Sequence, residues 1–263
     1  MDLGIAGRRA VVGGASSGLG RASALRLAEA GCRLLIWARD ERALATTADE
    51  LRAAGSAQVE SVAADAATSA AADIVADAAV SAFGGADILV LNAGGPPPSD
   101  PAESDPAALR AALQLLVETP IDLATRLLPG MREHGWGRIT AILSWGVREP
   151  VPTLPYSNIG RSGLAAWMKT ASLRVAADGV TVNGVLPGRF ATPRIMSLDA
   201  STAAREAIAV EDVQARARTA IPAGRDGDPG ELGSVVAFLC SEPAAYVNGV
   251  FVAVDGGMLK SLG

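Results

Sequence analysis

The sequence predicts a single α/β domain of three layers, with helices on both faces of a seven-stranded parallel sheet. Short apolar runs bounded by Gly, Pro or Asp alternate with longer Ala- and Leu-rich stretches at helical spacing, which is typical of repeated βαβ units. Hydrophobic residues make up 49% of the chain and charged residues 19%, enough apolar material to bury such a sheet. A doubly wound sheet with one core can reach 263 residues, and no linker or internal repeat divides the chain.

Periodicity and breaker residues predict where each element lies. The predicted strands are residues 9–13, 34–38, 59–63, 88–91, 139–143, 180–186 and 250–254. The predicted helices are residues 20–30, 41–53, 70–83, 106–117, 121–133, 161–177 and 229–239.

Two stretches interrupt this alternation. The first runs from Gly94 to Pro101 and contains Pro96, Pro97 and Pro98, which lack amide donors and fix φ, so we expect a stiff loop. The second, residues 188–227, is longer than typical strand-to-helix connections and is predicted to be a lid over a ligand. The expected organisation is therefore one domain, residues 1–263, with a substrate lid at about 188–227.

Charge and composition argue against several classes of protein. The net charge is 23 minus 28, or −5, without the basic run that nucleic acid or an anionic membrane would require. The N-terminus lacks a signal-peptide pattern, and no apolar stretch reaches the ~20 residues of a membrane helix, so we expect a cytoplasmic protein. Cys32 and Cys240 are interpreted as core thiols, and the single histidine, His134, as a surface residue, which leaves no metal site.

A glycine-rich turn follows the first predicted strand and leads directly into a helix. Gly14, Gly18 and Gly20 suit a tight turn, a close approach of phosphate to the backbone and packing of helix on strand. Ser16, Ser17 and Leu19 lie between them, and the helix N-terminus that follows favours an anion. Such turns also occur for packing alone, but at this place in a βαβ unit the turn indicates the pyrophosphate site of a Rossmann fold.

Ordered motifs span nearly the whole chain, beginning with GxxxGxG at Gly14, Gly18 and Gly20. The others are Asn92-Ala93-Gly94, Gly137-Arg138-Ile139 before Ser144, Val182-Asn183, Pro187-Gly188 before Thr192, and Asn248-Gly249 through Gly257. In these motifs the chain resembles the short-chain dehydrogenase/reductase family, in its 3-oxoacyl-acyl-carrier-protein reductase-like branch.

The resemblance implies roles for residues of the cofactor site. Asp65 and Ala66 are expected beside the adenine, Asn92, Ala93 and Gly94 beside the adenosine ribose, and Pro187, Gly188 and Thr192 beside the nicotinamide. It also implies a homotetramer, with helices in residues 106–133 and 161–177 at one interface and the final strand at another. The many alanines and leucines of these helices agree with burial on two sides.

The tip of the second strand predicts the choice of cofactor. It reads Ala38-Arg39-Asp40 and faces the ribose, where a carboxylate favours a free 2′-hydroxyl and a cation favours a 2′-phosphate. Arg39 therefore predicts NADP(H) rather than NAD(H). The alternative is that Arg39 is a solvated charge paired with Asp40 or Glu41.

The catalytic pattern of the family is incomplete. Counting along the chain from the motifs named above places Ser144 at the family's serine position, Ser157 at its tyrosine position, Arg161 at its lysine position and Leu116 at its asparagine position. An aliphatic hydroxyl is a much weaker acid than a phenol, whose pKa is about 10, so Ser157 is a poor proton donor. Arg161 can hold a ribose and supply positive charge, but it cannot relay a proton.

Tyr156 stands immediately before the expected tyrosine position. A slip of one residue could bring its hydroxyl into the pocket, but neighbouring helical residues differ by about 100° in direction. The residue four positions on is Gly160, which cannot hold a ribose. The alternative is that Tyr156 is a pocket wall or a core aromatic.

The substrate side is predicted to be apolar, and its chemistry leaves two functions open. Trp145, Phe190, Pro96 to Pro98 and residues 151–155 are expected to line it, while Trp167 is assigned to the core or a subunit contact. The first function is an atypical NADP(H)-dependent oxidoreductase for a 3-oxoacyl or other ketone-like substrate or a secondary alcohol, with Ser144, Arg161 and Tyr156 or water managing the proton. The second is a non-redox member, either a cofactor-binding sensor or scaffold or a dehydratase or cyclase.

Overall fold

A computed structural model describes residues 2–261 and shows one seven-stranded sheet in which every pairing is parallel. The strand order is β3-β2-β1-β4-β5-β6-β7, which confirms the predicted doubly wound α/β fold. The strands are β1 Arg9–Gly13, β2 Arg33–Ala38, β3 Val59–Ala63, β4 Ile88–Leu91, β5 Gly137–Ile142, β6 Val180–Pro187 and β7 Phe251–Val254.

The sheet order reverses on either side of β1, which pairs with β2 on one edge and β4 on the other. In the register, Val11 lies between Leu35 and Leu89, and all three side chains are buried. Such a reversal separates the loops that leave the two neighbouring strands and opens a crevice at their carboxyl ends. The fold therefore places a binding cleft directly after β1 and β4.

Helices form the two outer layers. They are α1 Gly18–Glu29, α2 Glu41–Ala53, α3 Ala71–Phe83, α4 Pro106–Leu113, α5 Thr119–Glu133, α6 Pro155–Val175, α7 Pro193–Glu206, α8 Val210–Thr219 and α9 Pro229–Leu239. One buried apolar cluster joins the sheet to α3, α5 and α6, and a second joins its other face to α1, α2 and α9. Trp167 packs against the first cluster, in agreement with its predicted place in the core.

Helix boundaries differ from the prediction in two places. The predicted break at 118–120 is absent, because a turn of π-helix, Gln114–Glu118, joins α4 directly to α5. Helix α6 begins at Pro155 rather than at residue 161, because the first turn of a helix tolerates a proline, which lacks an amide donor. The whole segment around Ser157 is thus helical.

The segment of residues 188–227 folds into α7 and α8. Thr192 begins α7, where its Oγ1 accepts the amide N–H of Ile195 at 3.4 Å. Arg189 forms ion pairs of 2.6 Å with Asp199 and with Asp226, and all three side chains are largely buried. These pairs join α7 and the end of the segment to Arg189, which lies two residues after the end of β6.

Within residues 2–261 no helix combines the length and apolar character needed to cross a bilayer, and no cluster of metal-ligating side chains occurs. Cys32 and Cys240 are free and buried, as predicted, and burial raises the pKa of Cys32 to about 12 and that of Cys240 to about 11. His134 is exposed at the end of α5.

Candidate functional site

A cleft of about 780 Å³ lies at the carboxyl ends of the strands. The structure brings nearly all of the predicted site residues to its wall. The lining includes Gly14, Ser16, Ser17, Gly18, Leu19, Arg39, Asp65, Ala66, Asn92, Ala93, Gly94, Ser144, Ser157, Arg161, Pro187, Gly188 and Thr192. Two predicted residues, Gly20 and Tyr156, do not line the cleft.

The glycine-rich turn after β1 presents bare backbone to the cleft. Gly14 and Gly18 have φ of 58° and 56°, a conformation that side chains disfavour. A Cβ atom at Gly14 would lie 2.6 Å from Nδ2 of Asn92, which itself donates to the carbonyl oxygen of Gly13 at 3.1 Å. A Cβ at Gly20 would collide with the carbonyl oxygen of Gly14. Gly20 therefore lets α1 pack behind the turn, while Gly14 and Gly18 form its open surface.

The end of the cleft beyond β2 and β3 carries one cation without an ion-pair partner. Arg39 is exposed and forms no ion pair within the described part of the chain. Asp40 instead caps α2, where it accepts the amide N–H of Ala43 at 3.0 Å. The alternative pairing of Arg39 with Asp40 or Glu41 is thus not observed. Trp37, which the sequence analysis missed, also lines this end, and its buried indole N–H has no partner among residues 2–261.

Two serine hydroxyls line the opposite end of the cleft. Ser144 follows β5, and its Oγ accepts the amide N–H of Gly146 at 3.0 Å. Ser157, in the first turns of α6, is buried, and its Oγ accepts from Nε of Arg161 at 3.3 Å. Because each oxygen is already an acceptor, each hydroxyl proton can be donated to a ligand in the cleft.

Arg161 is held next to Ser157 by one turn of α6. Its Nη1 donates to the carbonyl oxygen of Ile142 at 2.9 Å. Part of the Arg161 side chain is exposed to solvent in the cleft, but its guanidinium is surrounded by protein. Burial and, to a smaller extent, the positive charge of Arg194 lower the pKa of Arg161 to about 10. At neutral pH Arg161 is a cation in the wall of the cleft.

The position expected to hold an asparagine relay is apolar. Leu116 lies in the π-helical turn and is buried, and a Cβ atom at Gly160 would lie 2.8 Å from Cβ of Leu116. The side chain that lines the cleft from this turn is Leu115. No hydrogen-bonding side chain is therefore provided here, as the sequence predicts.

The structure corrects the alternative in which Tyr156 supplies a proton. Its hydroxyl accepts the amide N–H of Asp105 at 2.6 Å and donates to the carbonyl oxygen of the same residue at 3.2 Å. Because α6 already includes Pro155, Tyr156 points about 100° away from Ser157. The phenol fastens α6 to the start of α4 and does not face the cleft.

The substrate side is less apolar than predicted. Pro98, Trp145, Val151, Leu154 and Phe190 line the cleft, whereas Pro96, Pro97, Pro152 and Pro155 do not. Besides Arg39 at the opposite end, four arginines line the cleft, namely Arg161, Arg189, Arg194 and Arg205. The sequence analysis missed the last three because they lie in the 188–227 segment, where only the positions of α7 and α8 decide which side chains face inward.

Similarity to known proteins agrees with this geometry. A family model described as enoyl-(acyl carrier protein) reductase matches residues 14–259. The 3-oxoacyl-acyl-carrier-protein reductase of Vibrio cholerae is 33% identical, with 97% of this chain and 99% of that protein covered.

Solved structures give the same result. The L-sorbose reductase of Gluconobacter frateurii, crystallised with NADPH and L-sorbose, is 35% identical with a TM-score of 0.94 and full coverage of both chains. A variant of actinorhodin polyketide ketoreductase crystallised with NADPH is 30% identical with a TM-score of 0.92, covering 97% of this chain and 98% of that one. The matched family, the parallel sheet and the glycine-lined cleft together place this chain in the short-chain dehydrogenase/reductase family.

Proposed function

We propose that the protein is an atypical NADP(H)-dependent oxidoreductase that interconverts a carbonyl group and a secondary alcohol in a small molecule. The observation that carries this proposal is the meeting of Ser144, Ser157 and Arg161 in the same cleft as most of the residues predicted to bind the nucleotide. Ser144 stands at the serine position of the family pattern, and Ser157 and Arg161 stand where the tyrosine and the lysine are expected.

The residues present fit the cofactor. Bare amides of the turn containing Gly14 and Gly18, next to the N-terminus of α1, suit a pyrophosphate. Arg39, without an ion-pair partner in the described chain, suits a 2′-phosphate. Asp65 and Asn92 would hold the adenosine, and Thr192 with Gly188 the nicotinamide end. Bound NADPH supplies the hydride that reduces the carbonyl carbon.

The chain's own residues would stabilise the charge that develops on the carbonyl oxygen. The hydroxyls of Ser144 and Ser157 can donate hydrogen bonds to it, and Arg161 supplies positive charge one helical turn away. Ser157 is a weak acid, so water must finally supply the proton. Because a positioned general acid contributes typically about 10²- to 10⁴-fold, turnover should be slower than with a tyrosine.

The segment of residues 188–227 is proposed to be the substrate lid. Residues of α7, α8 and the preceding turn line the cleft, including Phe190, Leu198 and Ala217. The ion pairs of Arg189 hold its base, so closure would involve the helices rather than the attachment to β6.

We propose a homotetramer because large apolar side chains are exposed at the surface of the chain. Ile159 and Leu173 on α6, together with Tyr246 before β7, are exposed apolar side chains, and such residues often mark subunit contacts. Light scattering after size-exclusion chromatography should give four times the chain mass of 26.6 kDa, and a monomer would contradict the proposal.

A non-redox function is the second candidate, and the apolar Leu116 together with the absence of a phenol in the cleft favours it. NADPH oxidation against a panel of 3-oxoacyl thioesters, ketones and aldehydes distinguishes the two. We expect turnover that Ser144→Ala lowers about 100-fold in kcat while leaving NADPH affinity unchanged. Ser162→Ala, a change of the same size outside the cleft, is the control. NADPH binding without turnover on any of these substrates would support the non-redox function instead.

A further inference from the structure

Two arginines lie side by side at the substrate end of the cleft. Arg161 reaches this place from α6 and Arg194 from the first turn of α7. Their guanidinium groups flank Gly95, where a Cβ atom would lie 3.4 Å from Nη2 of Arg194 and 3.8 Å from Nη2 of Arg161. Two positive charges therefore converge on one loop residue.

Neither guanidinium has an anionic partner within residues 2–261. Arg194 donates to the carbonyl oxygen of Pro96 at 2.6 Å, and Arg161 donates only to the carbonyl of Ile142 and the hydroxyl of Ser157. Of the other arginines of the cleft, Arg39 lies at the adenosine end, and Arg189 and Arg205 are paired with carboxylates. Arg189 is paired with two aspartates, and Arg205 lies 3.4 Å from a carboxylate oxygen of Glu206.

The acidic side chains that line the cleft lie elsewhere. They are Asp40 and Asp65, which follow β2 and β3 at the adenosine end. Burial lowers the pKa of Arg194 as well as that of Arg161, and the positive charge of Arg194 lowers the pKa of Arg161 further. Adjacent, partly desolvated cations without a counter-ion are costly in a folded protein, and an anionic ligand that pairs with them removes that cost.

We propose that Arg161 and Arg194 bind a carboxylate of the substrate, so that the substrate class is a small oxo acid or the corresponding hydroxy acid. The carbonyl part of this assignment rests on the proposed oxidoreductase function. Ser157 contacts Arg161 directly, which places the carboxylate close to the reacting carbonyl, as in a 2-oxo or 3-oxo acid. Trp145, Leu154 and Phe190 would contact the apolar remainder.

The cofactor is the competing source of negative charge. Its pyrophosphate fits the turn that contains Gly14 and its 2′-phosphate fits Arg39, so both have partners without Arg194. Guanidinium groups also bind phosphates well, however, and the experiment must therefore separate the two ligands.

Calorimetry on protein saturated with NADP⁺ tests the proposal with matched probes: 2-oxohexanoate and 3-oxohexanoate, each against its methyl ester. We expect at least one acid to bind about ten- to hundred-fold tighter than its ester, which is the worth of a charge-assisted hydrogen bond to a partly buried group. Arg194→Gln should abolish this preference and leave NADPH affinity unchanged. Arg205→Gln, which removes a paired arginine from the same cleft, should keep the preference.

Equal binding of acid and ester, or binding of neither, would overturn the proposal. So would an Arg194→Gln variant that loses NADPH affinity and keeps the acid preference, because Arg194 would then serve the cofactor phosphates. If the acids bind as expected but no oxo acid supports NADPH oxidation, the carboxylate site stands and the oxidoreductase function fails.

Discussion

The two ends of the cleft differ in how they are built. The nucleotide end is formed mainly by backbone. Gly14 and Gly18 leave backbone amides uncovered, and a hydrogen bond from Asn92 joins the turn to the loop that follows β4. At the substrate end the cleft is lined mainly by side chains, among them Ser157 and Arg161, which are predicted to stand at the positions of the family's tyrosine and lysine.

This difference shows why one end keeps the family pattern and the other departs from it. A Cβ atom at Gly20 would meet backbone, so a change there disturbs the fold itself. Ser157 and Arg161 are helical positions whose side chains point into a cleft, and their replacement leaves α6 intact. The chemistry of the cleft can therefore change while its binding of a nucleotide is retained.

The largest effect is expected at the nucleotide end. Gly20→Ala forces the N-terminus of α1 away from the turn, and we expect NADPH affinity to fall at least about 100-fold, the worth of several amide contacts to phosphate. Fluorescence titration with NADPH measures this loss, and circular dichroism checks that the variant is folded. Gly130→Ala is the control, because nothing lies within 4 Å of the added Cβ atom in α5. A folded Gly20→Ala variant with unchanged affinity would remove the contrast between the two ends.

A smaller effect is expected from Arg39, the side chain proposed to bind the 2′-phosphate. Arg39→Ala should weaken NADPH binding about ten- to hundred-fold and leave NADH binding unchanged, since the 2′-phosphate alone is lost as a partner. Competitive titration of both nucleotides gives the ratio. Arg42→Ala, which removes an exposed arginine of α2 outside the cleft, is the matched control. Equal losses for NADPH and NADH would contradict the assignment.

The smallest effect is expected at Tyr156, next to the substrate end but outside it. Tyr156→Phe removes two hydrogen bonds to Asp105, so the free energy of unfolding should fall by about 1 to 2 kcal/mol. The kcat for NADPH oxidation should not change, because the hydroxyl does not face the cleft. Urea unfolding and steady-state kinetics measure the two quantities. A large loss of kcat in Tyr156→Phe would restore this residue as the acid.

Local sequence patterns predicted most of the sheet and much of the nucleotide end. The glycine turn and Asn92 each directly follow an apolar run that forms a strand, so local sequence is enough to place them. Strands β1, β3 and β4 have the predicted bounds. Boundaries near proline were harder to predict. The predicted helices left Pro120 and Pro155 outside, but each proline lies in the first turn of a helix.

The sequence by itself determined the doubly wound fold and the nucleotide-binding turn, because both depend on apolar periodicity and on glycines whose constraint is local. It also predicted which residues stand at the positions of the family's usual catalytic ones. Only the tertiary structure decided that Tyr156 turns toward Asp105 and that Arg194 stands beside Arg161. These placements depend on how α6 and α7 pack at a distance in the chain, and no short-range pattern encodes the direction in which a helical side chain meets another element.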